Sequence, residues 1–146
     1  MTMAETIGAC KSLEPNSYVI KIDFAGAFDS INWSFIEQML RAKGFPDLWI
    51  SWISCLIRSS ASSIIVNGTP SSSFNHRQGL RQGNPLSPLI FNLVVDTLSR
   101  LITSAVCQNM FHGVLQDFIQ DGISHMLYVD DLIMFAKANN HCFSWI

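Results

Sequence analysis

The stretch HMLYVDDLIMFA, residues 125–136, sets two adjacent acids, Asp130 and Asp131, inside an otherwise apolar run. Apolar neighbours on both sides favour burial, whereas paired carboxylates repel each other and resist desolvation. A strand, a tight turn at Asp130-Asp131 and a second strand reconcile the two demands, giving a β-hairpin with its acids at the tip. Such a hairpin commits the chain to antiparallel pairing. It also raises the question of which positive charge compensates the acids.

Other segments supply elements to pair with it. SYVIKID (17–23) alternates Tyr18, Ile20 and Ile22 against Val19, Lys21 and Asp23, which predicts a strand ending on an acid. NWSFIEQMLRAKG (32–44) places Trp33, Ile36 and Leu40 on one helical face, with Gly44 as a stop. A second helix is expected from Pro46, carrying Trp49, Ile53 and Leu56 inward, with Trp49, Trp52 and Phe45 read as packing core. SSIIVNGTPSSSF (62–74) holds a short β run followed by the hairpin-turn pair Asn67-Gly68. HRQGLRQGNPLSP (76–88) reads as an ordered loop feeding a long helix over 88–105, with Ser87 as N-cap and Pro88 in the first turn. Residues 106–124 read as a loop and a short strand around HGVLQDF. Interspersed strands and helices with hairpin pairing predict an α+β fold, a small antiparallel sheet covered on one face by helices.

Composition narrows the function classes. Only 14% of the 146 residues are charged, against about 25% in an average domain, as expected of a segment of a larger protein. A formal net charge of −2 argues against holding nucleic acid by bulk electrostatics, so any such role rests on a local site or on other segments. Cys10, Cys55, Cys107 and Cys142 are scattered without a CxxC pair, which predicts buried free thiols rather than disulfides or zinc. His76, His112, His125 and His141 show no ligand spacing and read as structural. The start lacks a signal-peptide layout, and no apolar stretch reaches the ~18–20 residues that span a bilayer. An intracellular protein without a membrane partner is the expectation.

Asp23 closes the first strand, and Asp130 with Asp131 tips the last hairpin. If those strands are neighbours, three carboxylates converge on one sheet edge. Hard divalent cations take such oxygen ligands, and two ions ~3.5–4 Å apart serve phosphoryl transfer. Each acid alone also has a plainer reading: a paired Asp in a surface turn is simply solvated, Asp23 can be a turn residue, and Asp29 a helix-entry acid. GLRQGNPLSP (79–88) tips the balance.

KIDFAGAFDSINW (21–33), GLRQGNPLSPLIFN (79–92) and YVDD (128–131), in that order, resemble three palm blocks of reverse transcriptases, more narrowly those of LINE-type, non-LTR retrotransposons. VNGTPSSSFNHRQG (66–79) is similar to the stretch preceding the second block, and the resemblance runs from about Tyr18 to Lys137. It implies a polymerase palm-like, incomplete fold in which Asp23, Asp130 and Asp131 are catalytic acids holding two Mg2+ ions, with Mn2+ as the substitute. The Phe24 carbonyl would add a backbone ligand. Phe28 would stand against the sugar of the incoming nucleotide and leave no room for a 2′-OH, although ordinary core is its alternative. Small Ala27 would let the nucleotide approach the backbone. Gln82 and Gly83 would position nucleotide and template base. Arg81, and secondarily Arg77, would contact phosphate near a helix N-terminus, with a solvated loop charge as the alternative for both. Tyr128 would lie by the primer end, although an aromatic in a half-buried strand needs no function.

The implied reaction adds deoxynucleoside triphosphates to a DNA primer on an RNA template, in the nucleus or cytoplasm. The sequence departs from the family pattern at Gly26, where a charged residue is common, and at Asn84, where an acid often follows RQG. The expected layout is a loosely defined segment over 1–16, a partial palm domain over 17–138 and an unstructured tail over 139–146. Fingers, thumb and endonuclease would lie outside these residues. Nine Lys+Arg against eleven acids predict weak nucleic-acid binding and little polymerase activity for this chain alone. The alternative is a non-catalytic relic or co-opted binding module for RNA or protein.

Overall fold

The chain opens with a helix that hydrophobic periodicity does not announce, α1 (Met3–Leu13). Its signal is a capping box: Thr2 N donates to Glu5 Oε2 at 2.7 Å, and Glu5 N to Thr2 Oγ1 at 3.4 Å. Then follow β1 (Ser17–Asp23), α2 (Ala27–Ser30), α3 (Trp33–Ala42) and α4 (Asp47–Arg58). Four two-residue strands come next, β2 (Ala61–Ser62), β3 (Ile65–Val66), β4 (Thr69–Pro70) and β5 (Phe74–Asn75). Among the described residues, α5 (Ser87–Cys107), β6 (His125–Tyr128) and β7 (Asp131–Lys137) follow. This computed structural model describes residues 2–14, 16–119, 122–128 and 131–137. The expected tail over 139–146 lies outside them. Two compact units divide the chain, one of Met1–Ala25 with Val95–Ile146 and one of Gly26–Val94, the boundary falling within α5.

In the first unit the strands form an antiparallel sheet in the order β1-β7-β6. The α+β class with small antiparallel sheets is therefore observed. Cys10 of α1, Val114, Leu115, Ile133 and Phe135 make a buried cluster on one face. His125, opposite Met134, belongs to the other face, and its Nε2 hydrogen-bonds Ser99 Oγ of α5 at 2.7 Å. Helices thus reach both faces, not one as expected. The reason is legible in β7, where the consecutive residues Leu132 and Ile133 are both buried. Alternate faces of one strand cannot both be apolar and buried unless both are covered.

The second unit packs Trp33, Ile36, Met39 and Leu40 of α3 with Ile50 and Ile53 of α4 in its buried core. Ser54 Oγ donates to Glu37 Oε1 at 2.6 Å and Arg58 Nη2 donates to the same oxygen at 3.0 Å. The Ser54 bond and then the Arg58 bond hold the Glu37 carboxyl below its usual range. Arg58 also lies over the Trp33 ring, 5.5 Å from its centroid. That polar clasp selects which arc of α4 faces inward. Trp52 and Leu56, expected inside, are 58% and 53% exposed. Asp47, Ser51, Ser54 and Arg58 mark a polar face at helical spacing. The buried arc of Ile50 and Ile53 lies to one side of the broad apolar face rather than at its centre, where Trp52 and Leu56 stand. The Asn67-Gly68 turn joins β3 to β4 as expected, with both residues at positive φ.

Other expectations change. Cys10 is buried, but Cys55 and Cys107 are exposed, and Cys142 lies outside the described residues. Ser87 does not cap α5: its hydroxyl donates to the Arg81 carbonyl at 2.7 Å, while Asn84 Oδ1 accepts from Leu86 N at 3.0 Å. By length and composition α5 is apolar enough to cross a bilayer, which a search for unbroken apolar runs misses because Asp96 and Arg100 interrupt it. Those two residues pair at 3.0 Å. The helix buries Ile90, Phe91 and Ile102, while Leu89 and Leu101 are exposed.

A short backbone stitch joins the segment around α2 to the glycine-rich loop. Gly79 N donates to Ile31 O at 2.8 Å and Leu80 N to Phe28 O at 2.7 Å. Trp33 Nε1 donates to Gly79 O at 2.7 Å, within the buried interior. Gly79 has φ +85°, and a Cβ there would meet the Asp29 carbonyl oxygen at 2.6 Å. Only glycine satisfies both conditions.

We expect Gly79→Ala to destabilise the second unit by about 2–4 kcal/mol, combining left-handed strain with overpacking, read as a lower urea midpoint. Trp33→Phe, which leaves the Gly79 carbonyl unpaired, should cost about 1–3 kcal/mol in the same measurement. In the first unit, burial pushes the His125 imidazole below its ordinary 6.5. The unfolded chain therefore binds the extra proton first, so this contribution is intact above that value and is lost as pH falls below it. A urea midpoint that drops between about pH 7.5 and about pH 5.5, less steeply in His125→Gln, is the expected result.

Candidate functional site

The last residue of β1 and the first of β7 are register partners, Asp23 opposite Asp131. The condition left open by the sequence, that these strands be neighbours, is met. Directly opposite residues share a face, with Cα atoms about 4.5–5.5 Å apart in antiparallel pairs, and like charges so placed repel. Lys21 supplies the opposing charge: its Nζ lies 3.0 Å from Asp131 Oδ1. Two residues before Asp23, it projects from the same face of β1. Tyr128 flanks Asp131 on the other strand and is 72% exposed. Phe24, which follows β1, is also exposed.

Asp130 lies outside the described residues, so the pair Asp23 and Asp131 is the described part of the acidic edge. Among the described residues no three His, Cys, Asp or Glu side chains gather as a metal cluster. Two carboxylates side by side at one strand end are nevertheless an oxygen donor set of the kind magnesium takes, usually one or two carboxylates with water and phosphate completing the shell.

The second unit holds the other predicted residues. Ala27 opens the four-residue α2 after Gly26, whose φ of 61° and ψ of 41° are left-handed. That left-handed backbone favours glycine at this position. Phe28 is half-buried and stacks on Phe91, centroids 4.2 Å apart and planes 13° apart. It is held from α5, and the stitch through its own carbonyl holds its backbone. Arg77, Arg81, Gln82 and Gly83 are exposed on the glycine-rich loop. Gln82 Nε2 reaches Asp29 Oδ2 at 3.5 Å.

Concavities of about 230, 310 and 340 Å³ open around this loop, and Arg81 lines all three. Asp29, Ser60, His76 and Ser87 line them too, and sequence reasoning assigned none of these a site role. Asp29 read as a helix-entry acid, and its reach to Gln82 spans a sequence separation that local patterns do not register. His76 bonds Ser62 Oγ through Nε2 at 2.7 Å.

The family model for reverse transcriptase (RNA-dependent DNA polymerase) matches residues 1–144. The Retrovirus-related Pol polyprotein from type-2 retrotransposable element R2DM of Drosophila melanogaster is 30% identical over 121 residues, covering 83% of this chain and 11% of that polyprotein. Its counterpart from a type-1 retrotransposable element R2 of Nasonia vitripennis is 31% identical over 121 residues, again 83% of this chain and 11% of the relative. An uncharacterized mitochondrial protein of Arabidopsis thaliana is 39% identical over 67 residues, 46% of this chain and 55% of its own length. The chain thus spans about a tenth of the two polyproteins. It belongs to the reverse transcriptase family, as a reverse transcriptase domain of the non-LTR retrotransposon kind.

Proposed function

We propose that residues 17–138 are the palm portion of an RNA-directed DNA polymerase, with Asp23, Asp130 and Asp131 as its metal-binding acids. The observation that carries the reading is the register pairing of Asp23 with Asp131, in a chain matched by the reverse transcriptase family model. Two Mg2+ ions, or Mn2+ in their place, would supply charge stabilisation at the attacking and leaving oxygens. The residues of the chain do the rest. Asp23 and Asp131 present carboxylate oxygens from adjacent strand ends, and the Phe24 carbonyl adds a backbone oxygen beside them. Phe28, packed on Phe91, would exclude a ribose 2′-OH, with small Ala27 beside it. Gln82 and Gly83 would position the nucleotide and template base, Arg81 would meet phosphate, and Tyr128 would flank the primer end. The primer 3′-oxygen bonds to the α-phosphorus as pyrophosphate leaves.

Template RNA, DNA primer and deoxynucleoside triphosphates are the proposed partners. Affinity for such a duplex comes from cations on phosphates, and nine Lys+Arg against eleven acids supply little. The 146-residue chain alone is therefore expected to show no primer extension on an RNA template with magnesium. Robust extension that Asp130→Ala abolishes would refute that expectation. In a longer polyprotein carrying this domain, Asp23→Asn or Asp131→Asn should lower extension by about two to three orders of magnitude. RNA binding without extension, unchanged by Asp23→Asn, would favour a non-catalytic binding module instead. Phe28→Val in the same polyprotein should raise ribonucleotide incorporation relative to deoxynucleotide roughly tenfold.

A further inference from the structure

We propose that Lys21 is the resident counter-ion of the acidic edge and competes with a divalent cation for Asp131, so that it sets metal affinity. The inference rests on the reading of Asp23 and Asp131 as metal-binding acids. Its own support is the ion pair across the strands. Lys21 stands opposite Ile133, two residues along β7 from Asp131, so the 3.0 Å contact from Nζ to Asp131 Oδ1 is a diagonal pair imposed by register. The same register puts Lys21 and Asp23 on one face, and the ammonium therefore stands among the charges that a dication would use.

The two cations are mutually exclusive there. A magnesium–carboxylate bond is about 2.0–2.1 Å long, and an ammonium at hydrogen-bond distance from the same oxygen would sit in direct repulsion with the ion. The pair is built to be broken. The Lys21 side chain is 61% exposed and that of Asp131 31% exposed, and ion pairs this open contribute little to stability. Lys21 can swing into solvent without leaving a buried charge behind. It thus relieves the repulsion between Asp23 and Asp131, and any ion that binds must first displace it.

The test uses Mn2+ alone as probe, with the free ion followed by electron paramagnetic resonance, on the full chain and its Lys21→Met, Lys21→Arg and Asp131→Asn variants. Lys21→Met is expected to bind Mn2+ roughly three- to tenfold tighter than the parent chain, from removal of one nearby positive charge. Lys21→Arg should keep the parent affinity, and Asp131→Asn should abolish the site. In EDTA, Lys21→Met should melt only slightly below the parent chain, and saturating Mn2+ should close that gap. Lys21→Gln repeats both measurements with a polar side chain in case Met on this edge strand promotes association. Equal or weaker Mn2+ binding by both neutral variants, with binding still lost in Asp131→Asn, would overturn the counter-ion role and leave the acids as metal ligands. If neither the parent nor the neutral variants bind Mn2+ in a way that Asp131→Asn removes, the metal-site reading falls and this inference with it.

Discussion

Three hydrogen bonds, from Gly79 N to Ile31 O, from Leu80 N to Phe28 O and from Trp33 Nε1 to Gly79 O, carry much of the second unit's order. They give an irregular loop the backbone partners that a helix or sheet would otherwise supply. Because Gly79 approaches Asp29 too closely for any Cβ, the turn around α2 and the glycine-rich loop behave as one piece. Phe28 is positioned twice by this arrangement, through its carbonyl and through its ring on Phe91. Arg81 is positioned by its carbonyl, which accepts from Ser87 Oγ and from Asn84 N. The proposed steric role of Phe28 needs this kind of support, since a loosely held ring discriminates poorly.

The acidic edge of the first unit obeys a different constraint. Burial of β7 on both faces aligns β1 against it, and the resulting register sets two carboxylates opposite each other at the strand ends. Left alone, that placement is unfavourable. Lys21 answers it from within the same strand, so the apolar core and the charged tip are coupled through one register. A one-residue slip would carry Asp23 to the other face and dissolve the pair.

Much of the architecture was legible beforehand where the signal is local. The strand over SYVIKID, the Trp33–Ile36–Leu40 face and the Asn67-Gly68 turn each appear where the residues predict them, but β1 does not alternate in burial: Tyr18, Val19 and Ile20 are all exposed. The failures are instructive in kind. Helix α1 has weak periodicity, and only its Thr2–Glu5 capping box announces it. Helix α4 has an apolar face wider than the arc it buries, so which part of that face turns inward follows from where Glu37 meets Ser54 and Arg58. Ser87 looked like a cap because caps are usually serine, yet a nearby carbonyl claimed its hydroxyl.

The residue string was sufficient to mark β1, the last hairpin, α3, α4, α5 and three motif blocks, because these are patterns within a few neighbouring positions. It could name Asp23 and Asp131 as related by chemical type. It could not say that they stand opposite each other, that Lys21 neutralises one of them, or that Gly79 is locked against Asp29. Those facts depend on strand register and on backbone contacts between residues dozens of positions apart. Such contacts form when burying β7 on both faces and closing the loop around Trp33 leave the chain one favourable alignment, and no local pattern records that choice.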